Sequence, residues 1–273
     1  MKKLFLLCAV AILSIPQSFA QDLDAGDFQL FNHLSGGVTL GTDGIGIEVA
    51  APLTYNFSVR MGYSFMPKFK YSKSINAGTD IAFLAYPNSQ DVDVEGKLNM
   101  GDFKLLFDWY PFQTSSFHVT AGAYLGKSKV VDIYNASPFI KQDSWGSKGL
   151  ELGSGANTYT LVSNAKTGDV RAEVKTNSFK PYVGVGFGRA VPKGRVGVQF
   201  DLGVQFWGKP EVWGDINKAN EHTGMFETNY EKIDKNRITN SKSDYQDIKD
   251  AIDKIERVGV YPVLTLRING RIF

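Results

Sequence analysis

Cysteine is almost absent from this chain of 273 residues, and the single cysteine, Cys8, lies near its start. Beyond Cys8 no disulfide can form, and no thiol is present to act as a nucleophile or a metal ligand. This excludes the class of small secreted domains that are stapled by disulfides. The rest of the chain is long enough to form one large domain with its own core.

Long apolar runs and an excess of one charge are missing as well. After position 20 no stretch of about eighteen consecutive apolar residues occurs, so the sequence predicts no transmembrane helix. Apart from Lys2 and Lys3, 28 basic residues balance 28 acidic ones, which gives no electrostatic reason to expect nucleic acid as a partner. We find no Cys/His metal spacing and no phosphate-binding loop after a strand, so we expect neither a metal nor another cofactor.

The first 20 residues have the pattern of a secretory signal peptide. Lys2 and Lys3 form a basic n-region, an apolar run covers 4–15, and Ser18-Phe19-Ala20 is a small-x-small cleavage site. This apolar run is too short to anchor the chain in a membrane. The sequence therefore predicts a signal peptide over 1–20, a periplasmic tether over 21–31 and one domain over 32–273.

The segment VGVQFDLGVQFW, from Val196 to Trp207, alternates without a break as far as Phe206 between apolar residues and residues that are polar or glycine. A period of two predicts a β-strand with one apolar and one polar face. The segment also has about the 9–11 residues that a tilted strand needs to cross a bilayer. It fits either a soluble sandwich or a membrane barrel.

Eight such segments can be recognised along the chain, over 32–41, 45–51, 57–65, 98–110, 117–126, 179–188, 196–207 and 261–273. Their connections run short, short, long, short, long, short, long, so the three long ones lie at one end. Transmembrane barrels sort their connections in this way, with short periplasmic turns and long outer loops. The sequence therefore predicts an all-β fold, an antiparallel up-and-down transmembrane barrel of eight strands. Ten strands remain the alternative, because 158–175 forms either a hairpin in an outer loop or two further strands.

One long connection carries a helix signal over 243–257. Tyr245, Ile248, Ile252 and Ile255 share one helical face, which predicts a short amphipathic helix. This helix either packs on a loop or the barrel rim, or it covers the lumen as a plug.

Several sequence segments resemble segments of outer-membrane proteins of two-membrane bacteria. These segments are FDWYPF at 107–112, KPYVGVGFG at 180–188, FDLGVQFWGKPEV at 200–212 and YPVLTL at 261–266. The chain resembles the small OmpA-, OmpX- and OmpW-like barrels and a family of uncharacterised outer-membrane barrels. A terminal aromatic residue such as Phe273 is typical of these proteins, although here Ile272 holds the lipid-facing phase. The resemblance implies an integral outer-membrane location, contact with lipid and lipopolysaccharide, and insertion by the barrel-assembly machinery.

The polar faces of the predicted strands collect charged residues. The candidate site residues are His33, Glu48, Arg60, Asp102, Lys104, Asp108, Lys180, Asp201, Arg267 and Arg271. Charges at membrane depth must pair with one another or contact water. They therefore form either a salt-bridge network that fills a narrow barrel or a polar pathway. A turn centred near Thr54 would place Glu48 opposite Arg60, and a tight turn after Tyr110 would place His118 opposite Asp108.

Three functions follow from these alternatives. The first is a structural or surface-interaction barrel whose three long loops meet an unknown extracellular partner. The second is a small channel or ligand-carrying barrel for polar or anionic solutes, suggested by Arg60, Arg267 and Arg271. The third is a lipid A-modifying enzyme, which we do not expect, because no catalytic motif surrounds any of the three histidines.

Overall fold

The structure is a computed structural model. It describes residues 31–67, 70–76, 91–112, 114–127, 129–135, 149–152, 159–164, 166–219, 226–237 and 243–272, together with Gln142 and Trp145. The predicted signal peptide, most of the predicted tether and Phe273 lie outside these residues.

Eight strands close into a barrel in which each strand pairs antiparallel with its neighbours in the chain. They are β1 (Ser35–Gly41), β2 (Gly44–Thr54), β3 (Phe57–Phe65), β6 (Gly101–Trp109), β7 (Phe117–Gly126), β12 (Phe179–Phe187), β13 (Val196–Phe206) and β16 (Val260–Arg271). The last strand pairs with the first, so no edge is left open. The predicted eight-stranded up-and-down barrel is confirmed, and the ten-stranded alternative is wrong.

The outside of the barrel is apolar because every second side chain of each strand points away from the lumen. Ile47, Val198 and Leu202 are half or more exposed, with Ile47 at 67%. Exposed aromatic rings lie at both ends of the strands, among them Phe57, Phe65, Phe103, Trp109, Phe179, Phe187 and Phe206. An apolar band between two aromatic girdles is typical of strands that face lipid.

A second sheet of eight strands stands on the end of the barrel that carries the long connections. Its strands are β4 (Lys70–Asn76), β5 (Asp91–Leu98), β8 (Lys129–Asn135), β9 (Gly149–Leu152), β10 (Tyr159–Val162), β11 (Arg171–Lys175), β14 (Glu211–Ala219) and β15 (Phe226–Lys232). We call it the outer sheet. β10 and β11 lie within 158–175 and belong to the outer sheet, so this segment adds no strand to the barrel. The other strands of the outer sheet lie in long connections that the sequence predicts to be polar loops, and this prediction is wrong for the described strands.

Five strands of the outer sheet continue barrel strands after a break of two to four residues. β4, β5, β8, β11 and β14 are neighbours in the same order as β3, β6, β7, β12 and β13. Bonds between backbone groups, such as Met66 N–H to Met100 O at 2.9 Å and Asn177 N–H to Trp207 O at 3.0 Å, bridge the break. The outer sheet is therefore an extension of one side of the barrel wall.

The helix α1 (Ser243–Glu256) packs against one face of the outer sheet. Ile252 is buried in a cluster with Val212, Ile216 and Ile233. Ile255, on the same face of the helix, contacts this cluster. It also contacts a second buried cluster, which contains Met100, Val130, Val174 and Trp207. The predicted helix therefore lies over the end of the barrel wall, and no described helix is long and apolar enough to cross a membrane.

Candidate functional site

The lumen is the place where the polar faces of all eight barrel strands meet. It holds four cationic and five anionic buried side chains, Arg60, Lys104, Lys180, Arg267, Asp43, Glu48, Asp102, Asp108 and Asp201. The remaining space between Arg60, Lys104 and Tyr182 has no room for a water molecule. An eight-stranded barrel is just wide enough for its side chains to fill it, and this one is filled.

Arg60, on β3, is the centre of the network and is 2% exposed. Its Nε lies 2.8 Å from Asp108 Oδ2, and its Nη1 lies 3.1 Å from Asp201 Oδ2. The same Nη1 lies 3.5 Å from Glu48 Oε2. Three strands other than its own therefore supply carboxylates to one guanidinium, whose fork of donors suits such multiple contacts.

Glu48 links Arg60 to two further cations. Its Oε1 lies 2.6 Å from Lys104 Nζ, and its Oε2 lies 3.3 Å from Arg267 Nε. Lys104 Nζ also lies 3.4 Å from Asp43 Oδ2. Buried charges are tolerated only when partners surround them, and Glu48 has three cations within 3.5 Å.

A separate pair lies nearer to the outer sheet. Lys180 Nζ donates to Asp102 Oδ1 at 2.7 Å, and both side chains are buried. Trp207 lies over this pair, with Lys180 Nζ 6.0 Å from its ring centre. The Trp207 ring stacks on that of Tyr261 with 4.6 Å between the centres, so aromatic rings cover the charged lumen at this end.

Two candidate residues lie apart from the network. Arg271 is half-exposed at the end of β16, and His33 is half-buried before β1 begins. Sequence reasoning also missed Asp43, which does contribute, whereas it placed His118 opposite Asp108. Asp43 belongs to the tight turn between β1 and β2, where its type signals a turn, and only the tertiary structure shows that its carboxylate points at Lys104.

Both predicted cross-strand pairs are wrong in register. Glu48 lies opposite Gly62, because the turn lies at Tyr55-Asn56, with Thr54 opposite Phe57, and the register then shifts by one residue between Pro52 and Thr54. The net difference from the predicted pairing is two residues, which keeps Glu48 and Arg60 on one face, so the long arginine side chain still reaches the carboxylate. Asp108 lies opposite Thr120 instead of His118.

His118 nevertheless contacts the network from β7, two residues before Thr120. Its Nε2 lies 2.8 Å from Asp201 Oδ1, and its ring lies against that of Tyr110, with 5.3 Å between the centres. Ligand atoms of Asp108, His118 and Asp201 lie within 4.8 Å of one another, a spacing that could hold a metal ion. The guanidinium of Arg60 lies between the two carboxylates and supplies the positive charge there.

The end of the barrel with the short turns is closed by the turn between β12 and β13. Ala190 and Val191 are buried in this turn. The carbonyl oxygen of Ala190 accepts hydrogen bonds from Ser35 Oγ at 2.6 Å and from Arg267 Nη1 at 2.7 Å. The backbone N–H of Ala190 donates to Tyr110 Oη at 2.9 Å. Both backbone polar groups are thus satisfied, which allows this turn to lie inside the barrel mouth.

The face of the outer sheet that turns away from α1 carries a second charged cluster. Glu173 contacts Lys129 at 2.5 Å, Arg171 at 2.8 Å and the hydroxyl of Tyr230. Burial alone would raise the pKa of Glu173, but the hydrogen bonds from Lys129 and Tyr230 and the charge of Arg171 together lower it below its ordinary value. Lys175 covers the adjacent Trp213 ring, with 4.2 Å from its Nζ to the ring centre.

Comparisons with known proteins yield only structural neighbours. No family model matches the chain, and no curated protein matches its sequence. The fold is similar to the crystal structure of Acinetobacter baumannii CarO, with 15% identity and a TM-score of 0.45, over 86% of this chain and 96% of that one. The crystal structure of Acinetobacter baumannii CarO2 has 17% identity and a TM-score of 0.45, over 89% of this chain and 99% of that one. Membership of the OmpA-, OmpX- and OmpW-like group stays a prediction from sequence.

Proposed function

We propose that this protein is an integral outer-membrane barrel with a sealed lumen, and that the barrel serves as a rigid stem for the outer sheet and α1. In this role the barrel holds the outer sheet and α1 at the membrane, and the outer sheet contacts an extracellular partner. The observation that carries the proposal is the filled lumen, in which Arg60 is surrounded by three carboxylates.

The filled lumen favours a structural stem over a channel. A pore for polar or anionic solutes needs a continuous wet path, whereas the space beside Arg60 and Lys104 has no room for water. Two of the three arginines that suggested anion transport have other partners. Arg60 and Arg267 contact carboxylates, and Arg267 also holds the closing turn through Ala190.

The location in the outer membrane is supported by the outside of the barrel. Phe57 and Phe65 both point outward on β3 and lie about 26 Å apart along the strand, at about 3.3 Å per residue. At the usual strand tilt of about 35–45° this distance corresponds to a height of about 20 Å, so both rings lie within the roughly 25 Å apolar band and its aromatic girdles in outer-membrane barrels. Lipid and lipopolysaccharide are the expected surroundings, and the barrel-assembly machinery is the expected route of insertion.

The outer sheet supports a role at the surface. Its charged face presents Arg171 and Tyr230, the latter 41% exposed, beside the Lys175–Trp213 pair. Among the described residues α1 covers the opposite face, so we propose the charged face as the one that meets a partner. We propose no enzymatic activity, since His118, the histidine that contacts a carboxylate in the lumen, is fully buried within the network.

Cell fractionation tests the location, and surface labelling tests the orientation. We expect the chain in the outer-membrane fraction, with gel migration that changes on heating, as for folded barrels. A Lys166→Cys variant should react with a membrane-impermeant maleimide on intact cells, because Lys166 is exposed in a turn of the outer sheet. A Gly194→Cys variant, in the opposite short turn, should react only after the membrane is opened. Recovery in the soluble periplasm, or the reverse labelling pattern, would contradict the proposal.

A further inference from the structure

The charged face of the outer sheet lies on the same side as the lipid-facing surface of the barrel. Along β11, Val174 alternates with Glu173 and Lys175, so it points to the opposite face of the sheet. Val174 is buried in the cluster that contains Trp207, the ring that covers the charged lumen. The face against α1 therefore continues the lumenal side of the barrel wall, and the charged face continues its outer side.

Two lysines on this outer side lie just beyond the apolar band of the barrel. Leu125 and Phe179, which are opposite each other in register, are 49% and 56% exposed. Lys127 is two residues beyond Leu125, and Lys175 is four residues before Phe179. Their Cα atoms are thus about 7 Å and about 13 Å further along the wall. The headgroup layer adds about 5–7 Å to each side of the hydrocarbon core, so both long side chains can reach it.

Neither lysine contacts a carboxylate among the residues that the structure describes. Lys127 Nζ donates to the neutral amide oxygen Oδ1 of Asn99 at 3.1 Å. Lys175 Nζ lies over the rings of Trp213 and Tyr230, 4.2 and 4.5 Å from their centres. Aromatic rings attract an ammonium group and hold it in place, but they do not neutralise its charge.

The two carboxylates of β8 and β11 are already engaged. Asp132 and Glu173 both contact Lys129 and Arg171, at 2.5–3.1 Å. Lys129 in turn lies directly opposite Lys175 in the register of these strands, and like charges in such a position repel each other. Three cations on the two strands thus share two carboxylates, and the link before β8 adds a fourth cation. This part of the outer side therefore has an excess of positive charge.

We propose that Lys127, Lys129 and Lys175 bind the phosphate groups of a lipopolysaccharide molecule whose acyl chains lie against the apolar outside of the barrel. Ammonium groups donate short, charge-assisted hydrogen bonds to phosphate oxygens, and lysines beside a membrane attract anionic headgroups. The phosphates supply the negative charge that Asp132 and Glu173 do not. This inference rests on the proposed location in the outer membrane, because that location brings lipopolysaccharide to this face.

Binding of lipid A to the full chain in detergent micelles tests the site. Native mass spectrometry gives the dissociation constant of diphosphorylated lipid A for the unmodified protein and for the variant K127Q/K175Q. The matched control, K166Q/K254Q, removes the same charge from two exposed lysines outside the site. A further variant, K127R/K175R, keeps the charge at both positions, and heat-modifiable migration verifies that each protein is folded.

We expect K127Q/K175Q to weaken the binding of lipid A roughly thirtyfold, because each lysine near an anionic lipid surface contributes about fivefold. K166Q/K254Q and K127R/K175R should stay within about twofold of the unmodified protein. Equal affinities of the unmodified protein and K127Q/K175Q, or equally tight binding of lipid A without phosphates, would overturn the site. Retention of inorganic phosphate alone, with the same dependence on the two lysines, would assign the cluster to a soluble anion and would overturn it too.

The lipid site and the proposed function fail in different ways. Binding in micelles does not require the location in the cell. A chain that binds lipid A as expected but is not recovered in the outer-membrane fraction would contradict the proposed function alone. A chain that is recovered there, and whose K127Q/K175Q variant binds lipid A as tightly as the unmodified protein does, would contradict the lipid site alone.

Discussion

Arg60 donates two hydrogen bonds of 3.1 Å to Asp201, which lies 141 residues later in the chain. The two residues belong to β3 and β13, and three strands separate these in either direction around the barrel. The contact is therefore a strut across the full width of the lumen. Since Arg60 also binds Asp108 and Glu48, the strut ties four strands together.

Removal of this strut should destabilise the barrel strongly. In an Arg60→Met variant three carboxylates lose a buried cation, and breaking a buried ion pair costs about 3–5 kcal/mol. Urea titration of the protein refolded in lipid vesicles, followed by tryptophan fluorescence, measures this loss. The matched control is Arg257→Met, because the Arg257 side chain is 78% exposed and such surface changes stay within about 0.5 kcal/mol. Equal free energies of unfolding for the two variants would count against the strut.

Tyr110 should hold the closing turn in place. Tyr110→Phe removes the hydroxyl that accepts the N–H of Ala190, and a buried donor left without a partner costs about 1–3 kcal/mol. We expect hydrogen exchange at the Ala190 amide to accelerate roughly tenfold or more. The exposed Tyr63→Phe on the outside of β3 serves as control. If the two variants exchange at the same rate, the turn is held by other contacts.

The charged face of the outer sheet should loosen in acid. The pKa of Glu173 and that of Asp132 both lie below their ordinary values. For Asp132, burial alone would raise the pKa, but hydrogen bonds from Lys129 and Arg171 lower it. A carboxyl group whose pKa is lower in the folded state than in the unfolded state stabilises the fold. This stability is fully present above the pKa of the unfolded state and is lost as the pH falls through the pKa of the folded state. We therefore expect Trp213 fluorescence to report opening of the outer sheet below about pH 4.5.

A Glu173→Gln variant provides the comparison for that experiment. It removes the main titrating group of the cluster, so the change in fluorescence below the ordinary carboxyl range should become smaller than in the unmodified chain. The barrel strands serve as an internal reference through their hydrogen-exchange protection. An identical acid profile in both proteins would show that Glu173 does not control the opening.

The helix α1 should depend on one buried side chain. Ile252→Ala removes apolar contacts with Val212, Ile216 and Ile233, and such truncations cost about 2–5 kcal/mol. Limited proteolysis should cut α1 much faster in this variant than in Lys254→Ala, a change to an exposed residue on the same helix. Similar cleavage rates would mean that α1 is not anchored by its apolar face.

The barrel strands could be predicted because their two faces differ sharply. The observed bounds of β3 and β7 agree with the predicted segments 57–65 and 117–126, since strict alternation marks strands that lie between lipid and a polar lumen. The outer sheet escaped prediction because its apolar face has few members, such as Val174 and Ile216, and the alternation is therefore weak. Its strands are specified mainly by pairing with neighbours far away in the chain.

The sequence predicts which residues face the lumen, but it does not predict which of them contact one another. The alternation of the strands identifies Glu48 and Arg60 as lumenal. The position of the turn at Tyr55-Asn56, together with the one-residue register shift after Pro52, decides that they meet diagonally. Ala190 carries no sequence signal at all, because its role comes from backbone groups that Tyr110 and Arg267 bind. Such contacts depend on where a turn lies inside the barrel, and local sequence does not encode that position.

Electrical recording of the purified, refolded protein in planar bilayers tests the sealed lumen most directly. With Arg60 bound to Asp108 and Asp201, and with the Ala190 turn inside one mouth, we expect no continuous water path. We predict bilayers that contain the protein, verified by heat-modifiable migration of the recovered sample, with no steady current at any applied voltage that the bilayer withstands. A stable, ion-selective single-channel current would contradict the sealed stem and would favour a channel for small polar solutes.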